Sequence, residues 1–452
     1  MITPNHRSYR DPAARVVKKQ DGWHRYIFAA YQKEYDHLMG SGLYAELTGP
    51  GLMISHREVE PGSSEPGVYK ELYPVQIAFQ SYPYEWSYFQ WQKALIAFLD
   101  INTIALKHGM ILKDATPFNF CLKGGKAVLL DTSSFTFFVQ NDPWKAYHQF
   151  CGEFLGPFAL MHFNGARWAA LTAAGTRGLP LTFISKQLGR ASWLNLTCLV
   201  HIHWHAKFTG GSGGKTGQRG FTAEKLLSLL SLLRSSVSGW KKPYAFKDHW
   251  PAYYGLDMES YLAAKEKTLE NWLLQTKPKT AIDLGANTGR FSLVAAKYAE
   301  YVIALDLDEA CIDGLEKEIE KSSQNNITAL VGDLAGPTPA SGLLNKEYAS
   351  IFTRGRSDMA IGLALVHHLC IGLNIPLSLV AEMFARFADR FVIAEFVPRE
   401  DERVIQLLAN RDDHFTDYDE ENFVKAFSAY FDLVDQQAIG NSARKLFLWK
   451  KK

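Results

Sequence analysis

Residues 280–298 constrain this chain more than any other stretch. Thr280 to Leu284 (TAIDL) is a short apolar run with an acid, Asp283, near its end. Gly285-Ala286-Asn287-Thr288-Gly289 follows, and a helical pattern runs on from Arg290 to Tyr298. A strand that turns through glycine into a helix is how a doubly wound sheet builds a nucleotide site. The glycines let backbone approach a ligand closely, and the helix start offers free N–H groups. The next apolar run, Tyr301 to Leu305, ends in Asp306, 21 positions after Gly285. An acid at about 20 positions is the spacing of a carboxylate that holds a ribose diol.

The pattern continues to the C-terminus. Ile327 to Val331 leads to Asp333, and Asp358 to Leu365 stops at His367-His368. Phe391 to Glu395 precedes Phe396-Val397-Pro398, and two last runs span Phe431 to Asp435 and Arg444 to Trp449. Seven strands alternating with helices predict an α/β unit whose parallel sheet is covered on both faces. A dinucleotide oxidoreductase uses the same physics but needs GxGxxG, whereas this turn reads GANTG.

DLGANTGRF resembles the first motif of class I S-adenosylmethionine (SAM)-dependent methyltransferases, ALDLD resembles the second, and GDL at 332–334 the adenine-side motif. The resemblance covers about 279–450 and implies a Rossmann-like, seven-stranded methyltransferase sheet with SAM as cofactor. By that likeness Asp283 and the loop residues Gly285, Ala286, Asn287 and Gly289 face the methionine part of SAM. Asp306 holds the ribose hydroxyls, Leu307 lies on the adenine, and Asp333, next to Leu334, accepts from the adenine amino group. The implied chemistry is an in-line displacement at a sulfonium methyl, to which a protein contributes mainly orientation and desolvation. An oxygen or nitrogen nucleophile often needs a base as well. His367 and His368 follow the fourth strand, at the sheet edge where ligands bind, and imidazole has a suitable intrinsic pKa; the competing role is capping or packing the next turn. Glu395 is a second catalytic candidate for contacting the acceptor, or else a structural partner for an arginine. Arg399 and Arg411 read as anion binders or as solvated charges.

A length of 452 residues exceeds what one core usually fills. With 47% hydrophobic and 21% charged residues there is apolar material for two. The division is expected near 235–245, giving domains at 1–238 and 239–452. The stretch 209–220 (TGGSGGKTGQRG) holds six glycines and reads as a flexible loop. It is not a phosphate loop, since Thr209 stands where the first glycine is required. A net charge of +2 argues against nucleic acid or anionic membrane as partner. Five scattered cysteines without a CxxC pair read as reduced thiols, with no disulfide frame and no metal site. No signal-peptide core or membrane span is legible, so a cytoplasmic enzyme is expected.

In the N-terminal half, Leu112-Lys113-Asp114-Ala115-Thr116-Pro117-Phe118-Asn119 precedes Gly124-Gly125, the run Ala127 to Leu130, and Asp131. This resembles the catalytic and metal-binding segments of protein kinases and aminoglycoside phosphotransferases. The resemblance implies an α+β kinase-like domain in which Asp114 orients the acceptor hydroxyl while Asn119 and Asp131 hold magnesium against ATP. Leu112 departs from the usual histidine, Thr132-Ser133 replaces phenylalanine-glycine, and no glycine-rich ATP loop lies in 40–70. Lys70 is the candidate nucleotide lysine.

SYPYEWSYFQ (81–90) and HGMILKDATPFNF (108–120), placed before DLGANTG, resemble a bacterial family of two-part SAM-dependent enzymes that includes nodulation-associated proteins. That likeness implies modification of a small molecule or saccharide, with the N-terminal half shaping the acceptor site. The aromatics Tyr82, Tyr84, Trp86, Tyr88, Phe89 and Trp91 read as core. His201, His203 and His205 share a face only on a strand, and read as satisfied or surface histidines rather than a metal site. The expected activity is O-methylation. Its rivals are a bifunctional kinase–methyltransferase that uses magnesium-ATP, and a SAM-binding scaffold without turnover.

Overall fold

The computed structural model describes residues 8–9, 11–60, 65–209, 220–241, 256–409, 417–440 and 442–452. Arg411 and most of the glycine-rich stretch, 210–219, lie outside the described residues. The chain forms two compact units, Met1–Ala245 with Ala340–Ala349, and Phe246–Pro339 with Ser350–Lys452.

The first unit is α+β. Strands β1 (Ala14–Lys19), β2 (Gly22–Phe28), β3 (His56–Val59) and β4 (Val68–Pro74) form an antiparallel sheet of order β1-β2-β4-β3. Helix α1 (Tyr88–Lys107) opens on a capping box: Gln90 N–H donates to Ser87 Oγ, and the Gln90 side chain accepts from Ser87 N–H. It is apolar on most sides and buries Trp91, Leu95, Phe98 and Ile101, so it forms the centre of this core. Phe98 stacks on Trp144 and Phe150. Helix α2 (Ala223–Gly239) packs along α1, and the Gln92 side chain donates to the carbonyls of Val237 and Trp240 at its end. Tyr82, Tyr84, Trp86, Tyr88 and Trp91 are buried, which makes the aromatic segment core rather than a binding stripe. Tyr348, from Ala340–Ala349, packs with ring centroids 4.6 Å from Phe118 and 5.4 Å from Tyr82. The HIHWH segment is helical across Leu199–Trp204. His201 meets the Tyr147 hydroxyl at 2.6 Å, and His203 meets Ser185 and Ser192 at 2.8 and 2.9 Å.

The second unit is a seven-stranded α/β sheet. Its strands are β9 (Thr280–Leu284), β10 (Tyr301–Asp306), β11 (Ile327–Val331), β12 (Ser357–Gly362), β13 (Ala388–Phe396), β14 (Phe431–Ala438) and β15 (Lys445–Lys451). The order is β11-β10-β9-β12-β13-β15-β14. The first five are parallel, but β15 runs antiparallel to both β13 and β14. The expectation of a wholly parallel sheet is therefore corrected. The physical reason is the short link between β14 and β15, which contains Gly440 at φ +55°. So short a link makes a hairpin and cannot carry the crossover a parallel pair needs. Along β15 alternate residues serve opposite faces. Leu446 and Leu448 join the core under helix α3 (Leu256–Thr276), while Phe447 and Trp449 pack with Phe423 and Phe427.

The five cysteines are buried and free. Among the described residues no helix is long and apolar enough to cross a membrane.

Candidate functional site

The parallel strands set where a site can form. Strand order reverses between β9 and its neighbour β12, and the carboxyl ends at such a switch point are where open α/β sheets bind ligands. The turn after β9 has Gly285 at φ +75°, Asn287 at +50° and Gly289 at +81°. Gly285 and Ala286 N–H both donate to the Leu305 carbonyl, at 2.9 and 3.0 Å, which pins the turn to the end of β10. Asp306 then accepts from Asn287 N–H at 2.7 Å through Oδ2 and from Asp308 N–H at 2.7 Å through Oδ1. Burial pushes its carboxyl above the usual range, and the backbone donors oppose that. Leu307 follows, 49% exposed.

Gly289 is indispensable for a second reason. A Cβ there would lie 2.4 Å from Cδ1 of Leu315, on helix α4 (Glu309–Ser322). Gly289→Ala is expected to destabilise this unit by about 1–3 kcal/mol through overpacking and left-handed strain. Thermal unfolding checks this, and a melting temperature equal to wild type would contradict it.

Asp283 is buried and accepts from Ser292 Oγ at 2.6 Å. Burial pushes its carboxyl up to about 6, with Asp306 adding to the shift. Asp333 is exposed after β11, its Oδ1 accepting from Ala335 N–H at 2.8 Å, and Leu334 is half-buried beside it. The switch point thus brings Asp283, the glycine turn and Asp306 together, and Asp333 ends the adjacent strand.

His367 and His368 follow β12 with ring centroids 4.2 Å apart. His367 is buried, and its Nδ1 has no hydrogen-bond partner among the described residues. Burial holds it well below the ordinary imidazole range, helped by His368, Arg444 and Lys265. His368 is lowered by burial and by Arg444.

Glu395 is buried in a network of charges. Of its two expected roles, contact with the acceptor and structural partner of an arginine, the geometry fits the second, because it is 0% exposed, both oxygens are taken, and Arg444 stands 3.9 Å away. Oε1 accepts from Tyr261 at 2.5 Å, and Oε2 meets Lys265 at 2.5 Å and Ala364 N–H at 2.7 Å. Burial alone would raise this carboxyl, but Lys265 and Arg444 hold it low and ionised. Arg444 closes the network on Asp401 through two hydrogen bonds, at 2.7 and 2.9 Å. Glu395 also fixes Ala364, a non-glycine residue at φ +51°, by accepting its N–H. It thereby shapes the loop that carries His367.

Tyr261 and Lys265 escaped the sequence reading. Their signal is spacing: 261, 265, 269 and 273 lie on one face of helix α3. A lysine on the stripe of Leu269 and Leu273 stays buried only with a carboxylate partner.

In the first unit, β5 (Met110–Leu112) pairs antiparallel with β8 (Phe135–Phe137), and β6 (Phe120–Lys123) pairs with β7 (Lys126–Leu129) through the Gly124-Gly125 turn. These pairings bring Asn119 and Asp131 together. Asn119 Nδ2 donates to Ser134 Oγ at 3.0 Å, and Ser134 Oγ donates to Asp131 Oδ2 at 2.8 Å. Burial raises the Asp114 carboxyl, opposed by Lys113. Lys70 is not in this group; it lies at the surface of β4, paired with Glu58 at 2.6 Å. Among the described residues no three His, Cys, Asp or Glu side chains are grouped to hold a metal.

No family model matches the chain. It is similar to nodulation protein NoeA of Rhizobium meliloti (strain 1021), 28% identical over 458 residues, spanning 98% of this chain and 95% of NoeA. Among solved structures, the N-methyltransferase NodS of Bradyrhizobium japonicum WM9 overlaps 42% of this chain and 96% of its own, at 10% identity and a TM-score of 0.33. Magnesium protoporphyrin IX methyltransferase (ChlM) of Synechocystis PCC 6803 overlaps 44% and 89%, at 16% identity and a TM-score of 0.32.

Proposed function

We propose that the second unit binds SAM and transfers its methyl group to a hydroxyl of a small molecule or saccharide. The observation that carries this reading is the left-handed glycine turn tied to Asp306 at the sheet's switch point. The residues fit the cofactor. The Asp306 oxygens accept backbone N–H groups, from Asn287 at Oδ2 and Asp308 at Oδ1 with Leu307 also contributing, and the carboxylate keeps acceptor capacity for a ribose hydroxyl. Leu307 offers exposed apolar surface beside it for the adenine ring, and Asp333 an exposed acceptor for the amino group. Asp283 provides a buried carboxylate for the methionine ammonium.

SAM, when bound, supplies a methyl group on a positively charged sulfur. The chain's own part is to orient the acceptor, exclude water and take the acceptor's proton. His367 Nδ1, buried and without a hydrogen-bond partner among the described residues, is the atom we assign to accept that proton. The likeness to NoeA runs through both units and supports reading them as parts of one working protein.

Calorimetry on the intact protein tests the cofactor assignment. SAM and S-adenosylhomocysteine are expected to bind and NAD is not; NAD binding without SAM binding would overturn the reading. The pH dependence follows from Asp283. Its carboxyl titrates at about 6, so the ionised form that meets an ammonium is full above pH 7 and lost below 6. SAM affinity is expected to be flat from pH 7 to 8, and to fall below pH 6 by up to about tenfold per unit. A flat profile down to pH 5 would remove Asp283 from the site.

A further inference from the structure

The kinase-like segment of the first unit implies a divalent cation at Asn119 and Asp131, and the residues present do not fit one. Arg25, on β2, places NH1 against Asp131 Oδ1, and its NH2 donates to the Leu130 carbonyl at 3.2 Å. Oδ1 also accepts from Ser133 N–H at 3.0 Å, and the single hydroxyl proton of Ser133 is shared between Asp131 Oδ1 at 2.6 Å and Asp11 Oδ2 at 2.7 Å. Oδ2 accepts from Ser134 Oγ, and that hydroxyl in turn accepts from Asn119 Nδ2. Both oxygens of the aspartate are engaged, and the Asn119 amide nitrogen donates to Ser134. Arg25 and Asp131 are both mostly buried, with side chains 13% and 16% exposed.

The sequence departure noted after Asp131 is the cause. Where the kinase pattern has phenylalanine and glycine, this chain has Thr132-Ser133, Ser134 follows, and both serine side chains are buried. They turn their hydroxyls onto the carboxylate instead of leaving it open. Magnesium demands near-octahedral oxygen ligands and brings two positive charges. Set beside a guanidinium already in contact with the same oxygen, it meets strong like-charge repulsion in a partly desolvated place.

We propose that Arg25 is a built-in counter-ion that takes the divalent cation's place at Asp131, so that the first unit of this protein is a metal-independent module and transfers no phosphoryl group. This goes beyond the methyl-transfer reading and does not depend on it. It removes the bifunctional rival by a stated contact rather than by motif decay.

The test uses the full-length protein. ATP binding is measured by calorimetry with excess magnesium and with EDTA, in wild type and in Asp131→Asn. The expected result is no magnesium-dependent gain in ATP affinity that Asp131→Asn removes; such a gain, lost in Asp131→Asn, would overturn the proposal. Manganese, read by its paramagnetic resonance, then probes Arg25→Met, with circular dichroism confirming that the variant is folded. Manganese affinity is expected to rise at least about tenfold over wild type once the guanidinium is gone. Equal affinities in the two proteins would show that Arg25 is not what excludes the ion.

Discussion

Lys265→Met is expected to lower the stability of the second unit by about 3–5 kcal/mol, because it leaves Glu395 charged and buried without its closest cation. The pair is 2.5 Å apart with side chains 3% and 0% exposed, so water replaces little of what is lost. Arg444 stands 3.9 Å from the same carboxylate and offsets part of the loss, which puts the expected effect toward the lower end of that range. Lys265→Met combined with Glu395→Gln removes both charges and is expected to be more stable than Lys265→Met alone. Denaturant unfolding followed by tryptophan fluorescence reads this, since Trp272 and Trp449 are both buried in this unit. A Lys265→Met protein within about 1 kcal/mol of wild type would mean that the pair is not sequestered as described.

Asp306→Ala is expected to weaken SAM binding by about 100-fold or more. The carboxylate fixes the turn through Asn287 N–H, and under the proposed function it also presents charged acceptors to the ribose diol. Hydrogen bonds to a charged group contribute about 1.5–3 kcal/mol each, and 2.7 kcal/mol is a factor of about 100. Asp306→Asn keeps the shape and one acceptor, so its expected loss is nearer tenfold. Unchanged affinity in the alanine variant would sink the cofactor assignment.

Much of the second unit's architecture was legible in the sequence, because each strand is a short apolar run ended by a turn or an acid. Thr280–Leu284 and Ile327–Val331 are strands over the residues expected, and Tyr301–Leu305 extends only to include Asp306. The fourth strand ends earlier, at Gly362, because Ala364 adopts a left-handed conformation that no apolar pattern announces. The antiparallel pairing of β14 and β15 was available from their short link, had connection length been weighed beside strand count.

The side-chain networks were less accessible. Glu395 and Lys265 lie 130 positions apart, and Arg25 and Asp131 are separated by 106. Their meeting is set by topology, which one-dimensional spacing does not carry. Glu395 therefore read equally as an acceptor contact and as an arginine's partner, with Lys265 unforeseen, and Lys70 read as the candidate nucleotide lysine. In the structure Lys70 faces Glu58, and Arg25 on the adjacent strand reaches Asp131. What the sequence did show was the departure after Asp131, where Thr132-Ser133 stands in place of phenylalanine-glycine.

The central claim is methyl transfer from SAM by the second unit. Its most direct test is incubation of methyl-labelled SAM and the intact protein with size-fractionated extract of the source organism, with Asp306→Ala as control. The account predicts label, dependent on Asp306, in a small-molecule or saccharide fraction. SAM that binds the protein tightly while no fraction acquires label above the Asp306→Ala control would contradict it, and would leave a SAM-binding scaffold in its place.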